Sequence, residues 1–413
     1  MNLYLRLLVI TAIFLLIDFY AFQALKRVSS SRITHLIYWL ISAGVLLNAN
    51  YVLLNFSRYE GPTISTLNAS GWLLTIYIPK LFVILILFGE DFFRLLYSGF
   101  SFTHSKFFGL STGSDFLPER RKFVSQLAIG IATIPFASII YGIVKGKYNF
   151  KVHTHEIFFD NLPDEFDGFQ LTQISDVHSG SFDDVDKISY AIDLINEQKS
   201  DIVFFTGDLV NNRSSEMLPW IDHFKRIKGK YGKFSILGNH DYGDYITWHN
   251  PQDKIDNLEE LYNIHEQIGF DLLLNENRTI TRGGSQISLI GVENWGVKFK
   301  QKGDLQKAMN GVDSNNFKIL LSHDPSHWDE EVKTWESKID LTLSGHTHGM
   351  QFGIEIPGFK WSPVQFMYKH WAGLFEEAGR YLYVNRGFGF HAFPGRVGIW
   401  PEITVIKLKR KRV

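Results

Sequence analysis

The chain predicts a four-helix membrane region joined to an α/β domain in which two sheets pack face to face between helices. Three features of the sequence carry that prediction. Four apolar runs crowd into the first 147 residues, each near or above the roughly 20 residues that cross a hydrocarbon core. Beyond residue 150, short runs rich in Ile, Val, Leu and Phe alternate with amphipathic helical stretches, the order expected of layered sheets and helices. Five of those short runs stop abruptly at a polar group of Asp, Asn and His, as buried strands do where they reach a functional loop. We place the membrane region at 1–147 and the α/β domain at 148–413.

The membrane runs are about Leu3–Leu25, Leu36–Phe56, Trp72–Tyr97 and Phe123–Val144. A soluble bundle needs a polar face on every helix, and Ile13–Ile17 and Leu81–Phe88 offer none. Asp18 and Lys80 are costly in hydrocarbon unless they face protein or water, and an ion pair between the first and third helices or snorkelling to the interface would meet that need. Pro79 interrupts the third run and should kink it. Ser98–Leu117 reads as a loop or interfacial segment, and Lys145–His155 as the link to the domain. Lys26, Arg27 and Arg32 follow the first run, and Lys106, Arg120, Arg121 and Lys122 precede the fourth, whereas Arg58 is alone between the second and third. Positive loops favour the cytoplasm, which sends the N-terminus and the α/β domain to the extracytoplasmic side, although Lys145, Lys147 and Lys151 oppose that bias. Arg120-Arg121-Lys122-Phe123-Val124 is similar to a twin-arginine export signal, which makes the twin-arginine translocase an expected partner during export.

In the domain, strand-like runs at Phe169–Ile174, Ile202–Phe205, Phe234–Leu237, Phe317–Leu321 and Ile339–Leu343 precede Asp176-Val177-His178, Gly207-Asp208, Gly238-Asn239-His240-Asp241, Ser322-His323-Asp324 and Gly345-His346-Thr347-His348. Helices are expected at about Val185–Gln198, Glu216–Arg226, Lys254–Ile268 and Gln306–Met309. Strand tips gather at one edge of a sheet, so these Asp, Asn and His side chains are expected to converge on one crevice. Carboxylate, amide oxygen and imidazole suit Mn, Fe, Zn, Ni or Co, and a chain without cysteine excludes thiolate zinc, iron–sulfur and cysteine-nucleophile chemistry. A lone carboxylate such as Asp208, between two clusters, suits a bridge between two cations. Two cations so held activate a water for in-line attack and neutralise the phosphoryl oxygens. Gly207 and Gly238 permit tight turns just ahead of the donors. There is no phosphate-binding P-loop, and no basic stripe interleaved with aromatics, so nucleotide-driven chemistry and nucleic-acid binding are not expected.

Taken in order, these motifs resemble those of the calcineurin-like metallophosphoesterases from about Val152 to Lys409. Arg386-Gly387-Phe388-Gly389, Pro394-Gly395-Arg396 and Pro401-Glu402-Ile403-Thr404 are similar to the membrane-associated bacterial branch, which includes phosphodiesterases and UDP-diacylglucosamine diphosphatases. The resemblance implies a four-layer αββα sandwich and two divalent metal ions. It implies Asp176, His178, Asp208 and His348 on the first ion, and Asp208, Asn239, His323 and His346 on the second. It leaves His240 free to protonate the leaving oxygen, with Asp241 orienting the ring. The chain departs from the pattern at Asn211, where Asp is common, and at Met350, where Gly is common.

His153 and His155 alternate along an extended segment and read as surface residues of a strand, His223, His249, His265 and His327 have no partner motif, and His370 and His391 are left open. Arg386 and Arg396 are candidate clamps for a phosphate or anionic headgroup. Trp248, Trp295, Trp361, Phe366, Trp371, Phe388, Phe390 and Phe393 fall in loops that could form an apolar lip, which favours a lipid-linked phosphodiester or pyrophosphate, a lipid-linked nucleotide among them, taken from the bilayer. The rival from another class is a non-enzymatic membrane sensor or scaffold whose domain merely holds metal.

Overall fold

The computed structural model describes residues 3–108 and 118–412. The chain forms two compact units, Met1–Phe56 with Ser65–Tyr141, and Ser57–Ile64 with Gly142–Val413. The loop between the second and third membrane helices therefore groups with the α/β domain.

The first unit is built on α1 (Leu3–Val28), α2 (Arg32–Leu54), α3 (Ile64–Phe108) and α4 (Pro118–Val144), each long and apolar enough to cross a membrane. Helix α3 passes through Pro79 and continues to Phe108, so Ser98–Phe108, expected as a loop or interfacial segment, is helical rather than loop, and 109–117 lie outside the described residues. Among apolar neighbours Asp18 is fully buried, and Lys80 donates to its carboxylate and to Ser42 Oγ. Tyr77 donates to the same carboxylate at 3.0 Å, and Tyr38 to the Asp18 carbonyl at 2.8 Å. Every polar atom brought in by Asp18 thus finds a partner, which is how an ion pair is tolerated in hydrocarbon.

The second unit contains β1 (Lys151–Phe159), β2 (Gln170–Ile174), α5 (Val185–Glu197), β3 (Ile202–Thr206), α6 (Ile221–Phe224), β4 (Lys233–Ile236), α7 (Pro251–Gln267), β5 (Asp271–Leu272), β6 (Glu276–Arg282), β7 (Ser285–Gly291), α8 (Leu305–Ala308), β8 (Phe317–Leu321), α9 (Ser326–Glu330), β9 (Leu341–Ser344), β10 (Ile354–Ile356), β11 (Phe359–Trp361), β12 (Gly373–Glu377), β13 (Arg380–Val384) and β14 (Glu402–Arg410). One sheet runs β1-β14-β2-β3-β4-β5 and the other β12-β13-β9-β8-β7-β6, while β10 and β11 pair as a separate hairpin. The inner faces meet in one core, where Leu171, Phe204 and Ile236 from the first sheet join Leu289, Ile319, Leu343 and Tyr383 from the second. Outside the second sheet, Ile290, Leu320 and Val384 pack on Leu305 of α8 and Trp328 of α9. Outside the first, Phe205 and Ser235 meet His265 of α7. Covered on both faces, β3 and β8 are buried at every residue, which explains their unbroken apolar runs.

Local chemistry adjusts the expected helices. The stretch Glu216–Arg226 breaks into 3-10 turns before α6, because Pro219 removes a backbone donor. Helix α7 starts earlier than expected, at Pro251, because Asn250 caps it by accepting from Asp253 N and Pro251 suits the first turn. Helix α9 was too short for periodicity to reveal. The expected link, Lys145–His155, is fastened: Lys147 pairs with Asp183, Tyr148 donates to Asp183 at 2.8 Å, and Lys151 begins β1 alongside β14.

Candidate metal centre

Strands β2, β3 and β4 run parallel, as do β8 and β9, so the loops after all five leave at the same ends of their sheets. Those loops carry every expected donor. Asp176, His178, Asp208, His346 and His348 all adopt left-handed backbone, with φ of 53°, 48°, 61°, 72° and 49°. A left-handed turn after the strand swings the side chain back over the sheet edge, at a cost of about 1–2 kcal/mol per residue that the surrounding fold must offset. Gly207 and Gly238 serve these turns sterically. A Cβ at Gly238 would sit 2.2 Å from Asp208 Oδ1, and one at Gly207 would sit 2.8 Å from His323 Nδ1.

The donors form two groups, Asp176 with His178 and His348, and Asp208 with His323 and His346. In the first, His178 Nε2 lies 3.0 Å from His348 Nε2, which lies 3.2 Å from Asp176 Oδ1. In the second, His323 Nε2 lies 3.3 Å from His346 Nδ1, and Asn239 Oδ1 lies 2.8 Å from the same nitrogen. Asp208 Oδ2 stands between the groups, 3.6 Å from His178 Nε2 and 3.2 Å from His323 Nε2. Oxygen and nitrogen donors crowded this closely, in a buried pocket, fit the demands of divalent cations.

Supporting contacts fix the rings. His178 Nδ1 donates to Asn211 Oδ1 at 3.0 Å and His323 Nδ1 to the Thr206 carbonyl at 2.7 Å, which turns each Nε2 toward the site. His346 Nε2 meets Tyr368 OH at 2.8 Å. His348 is held with the opposite polarity, since Arg396 Nη2 donates to its Nδ1 at 3.1 Å. Burial holds His178 well below the ordinary imidazole range, with His391 adding to the effect, and burial likewise lowers His346. Burial also works against a charged His323, but the Asp208 carboxylate outweighs it and pushes this ring up to about 10.

His240 belongs to neither donor group. Its backbone N–H donates to Asp208 Oδ1 and its Nδ1 to the Asn211 carbonyl, both at 2.8 Å. Asp241 does not orient that ring, contrary to expectation. Its carboxylate is taken by four backbone N–H groups, those of Asp208, Leu209, Val210 and Gly238, and so fastens the loop after β3 to the loop after β4. Burial raises its pKa to about 7, with the Asp208 charge adding to the shift.

The two arginines also fall elsewhere. Arg386 is buried, bonding Glu402 at 2.6 Å and Glu355 at 2.9 Å, and Arg396 is buried against the carbonyls of Arg386, Gly387 and Gly389. Neither lines the cavity above the donors, and both guanidinium groups are engaged inside the fold. Of the proposed lip, Trp371, Phe388, Phe390 and Phe393 are core, Trp248 and Trp295 are half-buried, and Trp361 and Phe366 are exposed.

That cavity, of ≈ 400 Å³, is lined by Asp208, Asn239, His240, His346 and His348, together with residues no motif announced. His391 stacks on His178 at 4.8 Å and meets Asn211 Oδ1 at 3.1 Å. Tyr245 lies 4.4 Å from the His240 ring and accepts from Asn239 at 2.7 Å. Pro62 comes from the Ser57–Ile64 loop, which is seated by Thr247 N donating to the Arg58 carbonyl at 2.8 Å and by Tyr59 stacked on His249 at 4.6 Å. In the sequence His391 stands open without a partner motif, Asn211 behind it shows only as a departure from the family pattern, and Tyr245 and Pro62 give no signal.

Residues 5–147 match the family described as "Probable Calcineurin-like phosphoesterase, transmembrane domain", and residues 169–350 match "Calcineurin-like phosphoesterase". The chain is 30% identical over 262 residues to the uncharacterized metallophosphoesterase YkuE of Bacillus subtilis, covering 62% of this chain and 84% of that protein. It is 29% identical over 279 residues to a transmembrane protein with metallophosphoesterase domain from Danio rerio, covering 66% and 60%. To the phosphodiesterase YaeI of Escherichia coli it is 27% identical over 298 residues, covering 70% and 99%.

Proposed function

We propose, from the premise that the chain belongs to the calcineurin-like metallophosphoesterase family, that it is a membrane-anchored hydrolase of phosphodiesters or pyrophosphates working through a binuclear metal centre. The position of Asp208 Oδ2, within 3.6 Å of a nitrogen donor from each cluster, is the observation that supports two ions rather than one. Asp176, His178, Asp208 and His348 would hold the first, and Asp208, Asn239, His323 and His346 the second. Two divalent cations there supply Lewis acidity and an activated water to the reaction.

The remaining steps belong to the chain's own residues. Asn239 and His240, which line the cavity, would face the phosphoryl group. His240, its Nδ1 committed to the Asn211 carbonyl, keeps Nε2 as the atom that delivers a proton to the leaving oxygen. Asp241 acts at one remove, holding the Asp208 and His240 loops in register. The bilayer anchor and the phosphodiesterase name of the Escherichia coli relative favour a lipid-linked diester as substrate. The charge asymmetry of the membrane loops favours an extracytoplasmic domain.

The test is hydrolysis of bis-p-nitrophenyl phosphate by the full-length protein in detergent with Mn²⁺ added. Asp208→Asn is expected to abolish turnover and metal content together. His240→Ala is expected to lower turnover by roughly 10²–10⁴-fold and leave the metals bound. Loss of metal in His240→Ala would show that this residue is a ligand, and metal binding without turnover in the wild type would favour the sensor or scaffold.

A further inference from the structure

We propose that the β10–β11 hairpin is a second membrane contact, laid with its apolar face in the lipid interface beside the end of α4. In an antiparallel pair, residues directly opposite share a face and successive residues alternate. The register Ile354↔Trp361 and Ile356↔Phe359 therefore gathers four large apolar side chains on one face, with Glu355↔Lys360 on the other. The polar side is fastened to the domain. Glu355 accepts from Arg386 Nε at 2.9 Å, and Lys360 donates to the Ala372 carbonyl. The apolar side has no such cover. Ile354, Ile356, Phe359 and Trp361 are 50%, 58%, 52% and 38% exposed, and Phe366 and Met367, which follow at once, are 80% and 51% exposed.

A water-facing surface rarely collects this much contiguous aliphatic and aromatic area, and such a patch marks an interaction site. The occupant is identified by what adjoins the hairpin. Gly142, in the last turn of the membrane helix α4, accepts through its carbonyl from Arg396 N at 3.2 Å. The next residue, Val397, donates to the Gln351 carbonyl at 2.7 Å and accepts from Gly353 N at 2.9 Å. Gly353 is the residue immediately before β10, so an unbroken run of backbone hydrogen bonds joins the end of a membrane span to the base of the hairpin. Trp and Phe at that level, with Ile beside them, have the composition of an interfacial segment. A lipid headgroup and acyl boundary fits this surface, and the contact is independent of the catalytic reading.

The chain contains no cysteine, so single sites can be labelled cleanly. Phe359→Cys and Ile354→Cys, each made in the full-length protein and placed in nanodiscs of phosphatidylethanolamine and phosphatidylglycerol, would be compared with Tyr190→Cys on the exposed face of α5. Labels at the two hairpin sites are expected to be quenched by spin-labelled lipid, and both thiols to react with a membrane-impermeant maleimide roughly tenfold more slowly than the α5 site. Labels quenched by aqueous iodide and not by lipid, at both hairpin sites, would overturn the proposal. Protection that appears only when several copies share a disc would overturn it as well, and would assign the face to a second copy of the chain.

Discussion

Met350 occupies left-handed backbone, with φ of +51°, at the position where the sequence departs from a common glycine. Its side chain is 45% exposed, so little packing repays the strain. Met350→Gly is therefore expected to stabilise the protein by up to about 1 kcal/mol, read as a higher midpoint in thermal denaturation. A lower midpoint would show that the thioether has a partner worth more than the strain. The same scale decides how metal binding couples to protons. His178 and His346 are held below the ordinary imidazole range, so they are neutral near pH 7, the form in which imidazole can take a metal, whereas His323 is pushed up to about 10 by Asp208. In the metal-free protein the charged His323 contributes stability that is complete below its unfolded pKa, about 6.5, and is lost as pH rises through about 10. A cation bound by His323 would displace that proton, so on the proposed ligand set metal affinity is expected to rise with pH between 7 and 9, with about one proton released from this ring. Titration calorimetry in two buffers of different ionisation heat checks this, and heats that do not depend on the buffer would contradict it.

Among the elements, the membrane helices depend on one polar knot. Asp18 of α1, Ser42 of α2 and Lys80 of α3 meet where no water reaches, and removing one charge leaves the other buried and unpaired. Asp18→Asn is expected to cost about 3 kcal/mol, measured as unfolding in mixed detergent and SDS, while the exchange Asp18→Lys with Lys80→Asp recovers most of it. Equal loss in the single and exchanged variants would show that the site tolerates only the native geometry. At the catalytic end every donor loop follows a buried strand, and after β2, β3 and β9 the chain also makes a left-handed turn. That repetition is why the donors were readable from sequence: an apolar run that ends at Asp, Asn or His leaves a linear trace. Helix α9 and the 3-10 turns around Pro219 leave almost none, because five and three residues do not establish a period.

For the whole molecule, the Ser57–Ile64 loop belongs to the same compact unit as the catalytic domain and contributes Pro62 to its cavity. If α3 and α4 both cross the membrane, a loop after two spans and a domain after four lie on the same side, as their shared unit requires. Glu60→Cys in that loop and Tyr190→Cys in the domain are accordingly expected to react alike with an impermeant maleimide on intact spheroplasts, with Ser30→Cys between α1 and α2 protected. Labelling at Ser30→Cys alone would reverse the orientation, and unlike labelling of Glu60→Cys and Tyr190→Cys would break the shared unit.

The sequence by itself determined the four apolar spans, the cost that Asp18 and Lys80 must escape, the alternating strands and helices, and the Asp, Asn and His residues at the strand ends. Each is a local pattern, set by hydrophobic period or by the chemistry of adjacent residues. Tertiary structure alone decided that Asp241 staples two loops instead of steering His240, that Arg386 and Arg396 are spent on Glu402, Glu355 and backbone carbonyls, and that His391, Tyr245 and Pro62 reach the cavity. Those outcomes depend on which groups lie opposite one another after the chain has closed on itself, and hydrogen-bonding capacity is claimed by the nearest buried partner, whatever its distance along the sequence.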